Sequence, residues 1–416
     1  MSVQLQYLPT AKNSFDVIKV KGWHIPSGDW CESNSNRIMQ KNKMTTIAYL
    51  HDGTSVYDEL FLKHLVKKNR VYFLTFKAKP RFVPKGTNVV TMQEPLRLAD
   101  KEWFEGIRMY TLFLLRSLLI KLHIRRLKPH VVIGCMATKY GFYLAIAGFK
   151  PTILIVWGSD VLLAPKRFFL FRFMSKYALK KADAVILDSQ VQQEAIIQLG
   201  CNPSRILKFP WFDLEDAHVE NSRDEVREKL GWKDNTIIIN ARSHEPIYGV
   251  EYLIEAIPEV VRKEPKSRFL ILGQGTLTKN LKQRVERLQI SEYVKFTGRV
   301  TRAQTFTYLN ASDINVSTSF SDGTSASLLE AMILAVPSVV TQIPGNEEWI
   351  EDGENGYLIP IRDSKSLAEK IVFLIRNNES RKKLGENARK TVGARVHWRE
   401  NMKVFDKLIQ KLIEEA

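Results

Sequence analysis

Residues 317–332 combine small polar residues with two carboxylates. A predicted strand leads into a loop of three small residues and then a helix, the loop being Gly323, Thr324 and Ser325. Small residues let backbone N–H groups approach a ligand, and a helix N-terminus carries partial positive charge. The segment therefore predicts an anion site at the carboxyl end of a parallel strand. A plain helix cap remains the alternative, with Ser321 or Ser325 as the cap and Asp322 beside the dipole.

Two acidic residues of this segment bear on that choice. Asp322 precedes the helix, where its carboxylate can accept hydrogen bonds from sugar hydroxyls. Glu330 lies within the helix, where its carboxylate can accept hydrogen bonds from both hydroxyls of a ribose. A solvated position is the ordinary alternative for Glu330. Its neighbours are apolar, however, and a lone carboxylate among them is costly without partners. The pair favours a ligand site.

The same segment resembles the signature of retaining glycosyltransferase family 4, whose members have the GT-B fold. Its Ser-x-x-Asp-Gly is followed by Leu-Leu-Glu-Ala-Met and by Ala335-Val336-Pro337, and the resemblance extends over most of residues 45–416. Further elements match in order and spacing: Asn240-Ala241-Arg242, Gly273-Gln274-Gly275, Phe296-Thr297-Gly298-Arg299-Val300, Asp352-Gly353 with Gly356, Trp157-Gly158-Ser159-Asp160 and Lys181-Ala182-Asp183. Each element alone is a weak signal, whereas their shared order is a strong one.

The resemblance implies a role for each matching position. Arg242 and Asp322 are the catalytic candidates, since Arg242 would neutralise the donor diphosphate and Asp322 would hold sugar hydroxyls. Glu330 would bind the ribose. The remaining donor-binding candidates are the phosphate loop, the Gly-x-Gly turn, the strand end beside the base and the loop that closes over donor and acceptor: Gly323, Thr324, Ser325, Gly273, Arg299, Val300, Gly53 and Thr54.

The chain departs from the family pattern at several positions. Asp322 stands where the family usually has Glu, Tyr248 where it has Lys, and Trp157 where it often has His. The loop 51–54 has one glycine in place of two. One phosphate cation is then missing, and His244, Lys279 or a basic residue of the other domain would have to replace it. We interpret these departures as altered donor geometry rather than lost activity.

Alternating strands and helices must position these residues. The alternation begins at Thr45 and restarts after a charged linker at residues 213–230. Two successive halves of this kind predict an α/β fold with two Rossmann-like domains facing each other. The resemblance to family 4 implies that this is the GT-B fold, with a central cleft between the domains. The predicted parts are an N-terminal extension, an acceptor-side domain, a nucleotide-sugar domain and a helix that crosses back to the first domain: 1–43, 44–212, 213–392 and 393–416.

Composition narrows the class of protein. With 44% hydrophobic and 26% charged residues, the chain of 416 residues is globular rather than disordered. The three cysteines lie far apart, which excludes a cysteine zinc site and fits a reducing compartment. No secretory signal is expected from the polar start, and no apolar run reaches the roughly 20 residues of a membrane span. A cytoplasmic location is therefore expected.

The net charge of +17 is concentrated in one half of the chain. Residues 1–215 hold 32 basic and 16 acidic residues, against 30 and 29 in residues 216–416. Segment 166–181 has six basic, five aromatic and no acidic residues, which predicts a helix that binds an anionic membrane peripherally. The helical stretch 101–128 adds Trp103, Phe104 and further arginines. The alternative is that these aromatics are core and the cations a solvated face. Nucleic acid is not expected, because no recognised binding motif is present.

The resemblance to family 4 implies a glycosyltransferase that retains the anomeric configuration and needs no metal ion. It would move a sugar from a nucleoside diphosphate to a hydroxyl of a lipid-linked or cell-surface glycan precursor at the membrane face. No cofactor is expected beyond the donor, and no side-chain base is required because the leaving phosphate can take the proton. The alternatives are another GT-B relative, such as a nucleotide-sugar epimerase, and a nucleotide-sugar-binding partner subunit with lost catalysis.

Overall fold

The computed structural model describes residues 44–93, 105–213 and 217–416. The predicted extension 1–43, and Trp103 and Phe104, lie outside the described residues. The described strands are short runs rich in β-branched and aliphatic residues, as expected for strands covered on both faces. They are β1 (Thr46–Leu50), β2 (Arg70–Thr75), β3 (Asn88–Thr91), β4 (Val131–Cys135), β5 (Thr152–Ile155), β6 (Ala184–Leu187), β7 (Ile206–Lys208), β8 (Thr236–Ala241), β9 (Ser267–Leu272), β10 (Val294–Gly298), β11 (Ile314–Ser317), β12 (Ser338–Thr341) and β13 (Tyr357–Ile359).

Helices connect these strands and cover both faces of the sheets. The described helices are α1 (Val56–Leu65), α2 (Glu105–Leu127), α3 (Gly141–Ala147), α4 (Ser159–Leu162), α5 (Ala164–Arg167), α6 (Phe169–Lys181), α7 (Gln190–Gln198), α8 (Arg223–Leu230), α9 (Val250–Lys263), α10 (Thr278–Arg287), α11 (Arg302–Ala311), α12 (Ala326–Ile333), α13 (Pro344–Glu347), α14 (Ser364–Arg376), α15 (Asn378–Arg395) and α16 (Trp398–Glu414).

The strands form two separate parallel sheets. The first has the order β3-β2-β1-β4-β5-β6-β7, and the second has the order β10-β9-β8-β11-β12-β13. In each sheet the chain reverses its direction of growth once, between β1 and β4 and between β8 and β11. Ligands of open α/β sheets bind beside such switch points, at the carboxyl ends of the strands. The predicted α/β architecture of two Rossmann-like domains is confirmed.

The carboxyl ends of the two sheets face each other across a cleft. Asp188 follows β6 of the first sheet, and its backbone carbonyl accepts a hydrogen bond from the Thr324 hydroxyl of the second domain at 2.9 Å. The Gln190 N–H donates to the Glu348 carboxylate at 2.6 Å. The loops that follow the strands of both sheets therefore meet in one region.

Helix α16 packs on the first domain, although it follows the second domain in the chain. It contributes buried side chains to the core beneath the first sheet: Trp398, Met402, Phe405, Leu408, Ile409 and Leu412. The Phe61 ring of α1 lies edge-on to Phe405 at a centroid distance of 5.7 Å. Asp406 pairs with His64 of the same helix α1 at 2.8 Å. The C-terminal segment thus completes the first domain.

Three features lie outside the predicted pattern. The edge strands β3 and β7 have only four and three residues, too few for a recognisable alternation. The segment after β4 begins as a π-helix, Met136–Tyr140, where the alternation of strands and helices would predict an ordinary α-helix, and Met136 lies in the left-handed region at φ 65°. Isolated π turns are frequent at functional sites. The turn carries Lys139 and Tyr140 to the carboxyl edge of the first sheet.

We predict that Phe405→Ala lowers the unfolding free energy of the first domain by about 3–5 kcal/mol, since it empties a buried ring site. Val404→Ala on the exposed side of the same helix should change it by less than about 0.5 kcal/mol. Urea unfolding followed by tryptophan fluorescence measures both. Equal effects of the two substitutions would contradict the packing of α16 on the first domain.

Candidate active site

A buried arginine lies at the centre of the cleft on the side of the second domain. Arg242 follows β8, and its Nη2 donates to the Asp322 carboxylate at 2.5 Å. Its Nη1 donates to the Ser325 hydroxyl at 2.6 Å and to that of Ser327 at 3.3 Å. These contacts tie the end of β8 to the loop before α12, and they bring together the predicted positions Arg242, Asp322 and Ser325.

Tyr248 supports the same guanidinium from one face. The guanidinium carbon of Arg242 lies 4.1 Å from the Tyr248 ring centroid, a cation–π contact in a desolvated site. The residue that stands in place of the family's lysine therefore adds no cation but holds the cation already present. Of the suggested replacements, His244 is engaged at both ring nitrogens, with Thr278 at 2.9 Å and the Leu272 carbonyl at 3.2 Å. Lys279 is exposed on α10.

The loop before α12 does not form the plain helix cap that the sequence left open. Ser325 occupies the N-cap position, yet its side chain makes no capping hydrogen bond and accepts from Arg242 instead. The Thr324 N–H points at the Asp188 carboxylate of the first domain at 3.4 Å. A backbone donor of the predicted anion loop is thus engaged with an acidic side chain of the first domain.

Gly323 lies where the two domains touch. A Cβ at this position would come within 2.4 Å of the Gln192 amide nitrogen and 3.1 Å of an Asp188 oxygen. From the other side, a Cβ on Gly345 would lie 2.1 Å from the Gly323 carbonyl oxygen. The absence of a side chain at Gly323 therefore permits the close approach of the first domain, in addition to any approach of a ligand. The absence of one at Gly345 permits α13 to pack closely on the loop before α12 within the second domain.

Glu330 is buried within α12, which rules out the solvated position considered for it. Its Oε1 lies 3.4 Å from Nε of Arg302, the first residue of α11. Burial raises the pKa of Glu330 to about 7, and the nearby Arg302 opposes that rise. The guanidinium of Arg302 in turn lies over the rings of Phe212 and Phe306, with its carbon 5.2 and 5.6 Å from their centroids.

Three residues of the cleft were not among the predicted positions: Arg302, Asp188 and Tyr57. Burial raises the pKa of Tyr57 well above its usual value, and the charges of Asp188, Asp322 and Glu330 raise it further. Its hydroxyl therefore lies in the field of all three carboxylates. Burial and the charge of Asp322 likewise raise the pKa of Asp188. Of these three residues, only Arg302 could have been suggested by the sequence, because it lies two residues beyond the candidate Val300, at the start of a helix.

The loop 51–54 of the first domain is held by its own neighbours. Gly53 has φ 64°, and a Cβ there would lie 2.4 Å from that of Pro80. Its carbonyl accepts hydrogen bonds from the Arg81 and Phe82 N–H groups at 2.8 and 3.2 Å. Thr54 is exposed. The structure thus places Gly53 and Thr54 at the carboxyl end of β1, and accounts for the glycine by the Pro80 loop.

The other predicted donor positions lie at the ends of β9 and β10. Gly273 has φ 98°, and a Cβ would lie 2.4 Å from the Arg242 carbonyl oxygen. Gly273 N–H donates to the Gly298 carbonyl at 2.9 Å, which joins the two strand ends beside Arg242. The Arg299 side chain is exposed, and Val300 packs against a core cluster of the second domain.

The Gly-Ser-Asp element of the first domain braces two loops of the cleft edge. Asp160 is buried and accepts hydrogen bonds from the Ala137 N–H at 2.6 Å and from the Trp157 N–H at 2.9 Å. It thereby joins the π-helix after β4 to the end of β5. Within the described residues, no group of three or more His, Cys, Asp or Glu side chains is arranged to hold a metal ion.

Two family models match the chain. The model of the glycosyl transferases group 1 matches residues 222–391, which include Arg242, Asp322 and Glu330. The model of the glycosyl transferase 4-like proteins matches residues 46–189, which include the loop 51–54 and Asp188. The two matches correspond to the two sheets and lie on opposite sides of the cleft.

Curated relatives match the chain over part of their length. An uncharacterized glycosyltransferase of Methanocaldococcus jannaschii is 26% identical over 59% of this chain and 63% of its own length. The alpha-D-kanosaminyltransferase of Streptomyces kanamyceticus is 25% identical over 52% of this chain and 57% of its own. The poly(ribitol-phosphate) alpha-N-acetylglucosaminyltransferase of Staphylococcus aureus is 27% identical over 52% of this chain and 43% of its own. The chain therefore spans less than two thirds of these relatives.

Solved structures share the fold. HepE of Anabaena, crystallised with UDP, superposes with a TM-score of 0.70 at 20% identity, covering 89% of this chain and all of that one. WaaG, a glycosyltransferase involved in lipopolysaccharide biosynthesis, superposes with a TM-score of 0.67 at 18% identity, covering 86% of this chain and 98% of that one. Both cover the two domains, so their arrangement around a cleft is common to the three molecules.

We predict a pH-dependent cost of the buried Glu330 carboxylate. Because its pKa is about 7 in the folded protein and 4.5 ordinarily, the folded state holds this proton more tightly, and stability is lost as pH rises from about 4.5 through 7. Relative to Glu330→Gln, the wild type should lose up to about 3 kcal/mol of unfolding free energy over this range. Urea titrations at several pH values measure the difference, with the exposed Glu369→Gln as control. Parallel curves for wild type and Glu330→Gln would contradict it.

Proposed function

The chain belongs to the glycosyl transferases, and on this premise we propose that it moves a sugar from a nucleoside diphosphate to an acceptor hydroxyl. The observation that carries the proposal is the contact of Arg242 with Asp322 and Ser325 at the N-terminus of α12. A planar cationic fork, a backbone turn and a helix end converge there on one point. Such a site suits a diphosphate that becomes a leaving group with growing negative charge.

Glu330 extends this site toward a nucleoside. Its carboxylate is buried one helical turn beyond Ser327, and its pKa near 7 leaves it partly ionised at neutral pH. Ionised, it can accept hydrogen bonds from a ribose, in keeping with the resemblance of its segment to family 4. HepE binds UDP, and another of its crystal structures contains UDP-glucose. We therefore propose a UDP-hexose as the donor.

Retention of anomeric configuration and independence of metal ions complete the proposed reaction. Both rest on the resemblance of residues 317–332 to family 4. In this chain Arg242 and the N–H groups before α12 would carry the phosphate charge. A retained configuration can be read directly from the anomeric proton coupling of the product.

The acceptor is proposed to be a lipid-linked or cell-surface glycan precursor, reached by peripheral binding to an anionic membrane. Segment 166–181 supports this, because much of its apolar surface faces outward. Phe169 is 87% exposed, and Phe168 and Phe173 are 53% and 55% exposed. The alternative considered from the sequence, that the aromatic residues of this segment belong to the domain core, therefore does not hold for these three rings. Lys166, Arg167 and Arg172 lie exposed among them.

Helix α2 adds a second apolar strip to the same region. Leu114, Leu118 and Leu122, at a spacing of four residues, are exposed along it. Phe142 of α3 joins the two helices, since its ring centroid lies 5.8 Å from that of Phe113 and 6.4 Å from that of Phe173. None of the described helices has the length and apolar character of a membrane span. A basic apolar surface suits insertion into the headgroup region.

We predict that Arg242→Gln weakens UDP binding about 10- to 100-fold and leaves uridine binding nearly unchanged, because only the phosphates lose a charged partner. Glu330→Ala should weaken the binding of both ligands. Isothermal titration with UDP and uridine separates the two effects, and the exposed Arg262→Gln is the control. Unchanged UDP affinity in folded Arg242→Gln protein would refute the role of Arg242 in phosphate binding. Unchanged affinity for UDP and uridine in folded Glu330→Ala protein would refute the role of Glu330 in ribose binding.

We predict that vesicles of anionic lipid bind the protein, and that neutral vesicles bind it at least tenfold less. Neutralising Lys166, Arg167 and Arg172 to Gln should reduce the binding by about tenfold or more, at about 1 kcal/mol per lost cation. Flotation with phosphatidylglycerol and phosphatidylcholine vesicles measures this. A matched triple change of Lys382, Lys383 and Lys390 on α15 should have no effect. Equal recovery of the protein with both kinds of vesicle would contradict the proposed binding to anionic membranes.

A further inference from the structure

The first domain has an apolar cavity between α2, α3 and α6, on the face of the first sheet opposite to α16. Its volume is about 220 Å³, and its lining side chains are all aliphatic or aromatic. The helices contribute Phe113 from α2, Phe142 and Ile146 from α3, and Phe173, Met174 and Tyr177 from α6. The cavity opens to the surface, where Phe173 is exposed and Ile146 is half-buried. An open cavity lined in this way suits a hydrocarbon chain, which needs no hydrogen-bond partner.

The cavity lies in a strongly basic part of the chain. Residues 106–159 contain eight lysines and arginines, residues 161–182 contain six, and neither range contains an acidic residue. Arg172 and Lys176 are exposed on α6, next in sequence to Phe173 and Tyr177 of the cavity. A hydrocarbon that enters here therefore carries its polar end past cations, which favours an anionic headgroup over a neutral one.

An arginine connects the cavity with the carboxyl edge of the first sheet. Arg116 lies about one turn along α2 from Phe113. It donates to the hydroxyl of Tyr143, which adjoins Phe142 of the cavity, at 3.1 Å. Its guanidinium carbon lies 5.3 Å from the ring centroid of Phe76, which directly follows β2. Arg116 thus lies between the cavity and the loops of the cleft.

A second cation lies at the same edge. Lys139 of the π-helix pairs with the Asp52 carboxylate, and its ammonium lies 5.6 Å from the Tyr140 ring centroid. The Tyr140 ring stacks on Phe76 at 6.1 Å, so Lys139 and Arg116 lie over neighbouring rings. The Lys139 side chain is 35% exposed, and an ammonium has three donors. Its pairing with Asp52 is therefore compatible with a further contact to a phosphate.

Aromatic contacts continue from this edge to the donor side of the cleft. Tyr140 lies edge-on to His51 at a centroid distance of 6.1 Å, and His51 stacks on Trp157 at 5.3 Å. Trp157 stacks on Tyr57 at 5.4 Å, and Tyr57 lies in the field of the cleft carboxylates. A phosphate held by the two cations would thus place an attached sugar between the cavity and the donor site.

We propose that this cavity binds the hydrocarbon chain of the acceptor, and that the acceptor is a sugar joined through phosphate to a long-chain lipid. The inference rests on the transfer reaction proposed above and specifies its acceptor. The hydrocarbon lies between α2, α3 and α6, the phosphate contacts Arg116 and Lys139, and the sugar hydroxyl extends into the cleft. The site takes one chain out of the membrane, whereas the exposed cations of segment 166–181 attract its surface as a whole.

Monomeric alkyl phosphates test the cavity without a membrane and without turnover. Isothermal titration compares butyl, octyl and decyl phosphate, each below the concentration at which it forms micelles. Affinity should rise by about tenfold for each added pair of methylene groups that the cavity buries. Inorganic phosphate should bind at least about 100-fold more weakly than decyl phosphate. An affinity that does not depend on chain length would overturn the proposal.

Two substitutions in the cavity separate this site from adsorption elsewhere on the surface. Ile146→Trp fills part of the cavity, and Phe173→Ala removes part of its exposed wall. Each should weaken the binding of decyl phosphate at least about fivefold and that of butyl phosphate less than about twofold. Ile361→Trp, at an exposed position of the second domain, is the control. Thermal unfolding checks that each variant is folded. Wild-type affinity for decyl phosphate in both folded variants would overturn the assignment of the cavity.

Two further substitutions test the phosphate contacts. Arg116→Gln and Lys139→Gln should each weaken the binding of decyl phosphate about tenfold. Decyl maltoside has the same chain and a neutral headgroup, so its weaker binding should not change. Lys382→Gln on α15 is the matched control for the loss of an exposed cation. Equal losses for the two ligands, or no loss for either, would contradict the placement of the phosphate.

Binding of UDP by the same preparations reports on the donor site separately. A wild-type protein that binds UDP but no alkyl phosphate would overturn this acceptor and leave the proposed transfer reaction standing. A protein that binds alkyl phosphates but not UDP would overturn the transfer reaction, and with it the description of the lipid as acceptor. Failure of decyl phosphate to bind a protein that light scattering shows to be dimeric would assign the cavity to contact with a second copy of the chain instead.

Discussion

The ion pair between Arg242 and Asp322 is the interaction on which the rest of the cleft depends. Arg242 ends a central strand of the second sheet, and Asp322 lies in the loop that starts α12. A buried guanidinium needs partners, and this one finds them in Asp322, Ser325 and the Tyr248 ring. The loop is thereby fixed relative to the sheet before any ligand binds. A donor phosphate would meet a preorganised set of donors rather than a flexible loop.

The same loop also sets how closely the domains approach. Gly323 and Thr324 contact Asp188 and Gln192 of the first domain, so the anion loop of one domain rests on a strand end of the other. Asp188, Asp322 and Glu330 then lie in one poorly solvated region, which is why the pKa values of Asp188 and Glu330 are raised. Carboxylates gathered in this way repel one another unless cations or protons separate them. Arg242 and Arg302 supply that separation on the side of the second domain.

The sequence was sufficient for the architecture and for half of the cleft. Buried strand runs, helix periodicity and the order of short elements predicted two parallel sheets, because these signals are local. Arg242, Asp322 and Ser325 come together as their shared origin at strand ends suggested. The same local signals could not predict the roles of Tyr57 and Asp188, or the hydrogen bond between His51 and Asp58. Their significance depends on which residues of a different loop or domain lie opposite, and no local pattern records that. The glycines illustrate the limit, since Gly53 and Gly323 contact Pro80 and Gln192 in addition to lying near a candidate ligand site.

Two of the departures from the family pattern, at Tyr248 and Trp157, have a common physical form. At Tyr248 an aromatic ring replaces a cation and stacks on the cation that remains. At Trp157 an aromatic ring replaces an imidazole and stacks on an imidazole from β1. In both places the ring fixes the orientation of the neighbouring group, so the charged or basic function is concentrated in fewer, more rigid side chains. Rigid placement is what a catalytic site gains most from, because groups already oriented need no reorganisation during reaction. The cations of segment 166–181 are separate from these groups. They lie on exposed residues beside Phe169, outside the described contacts of the cleft. Donor chemistry and surface attraction are thus carried by different residues of the same chain.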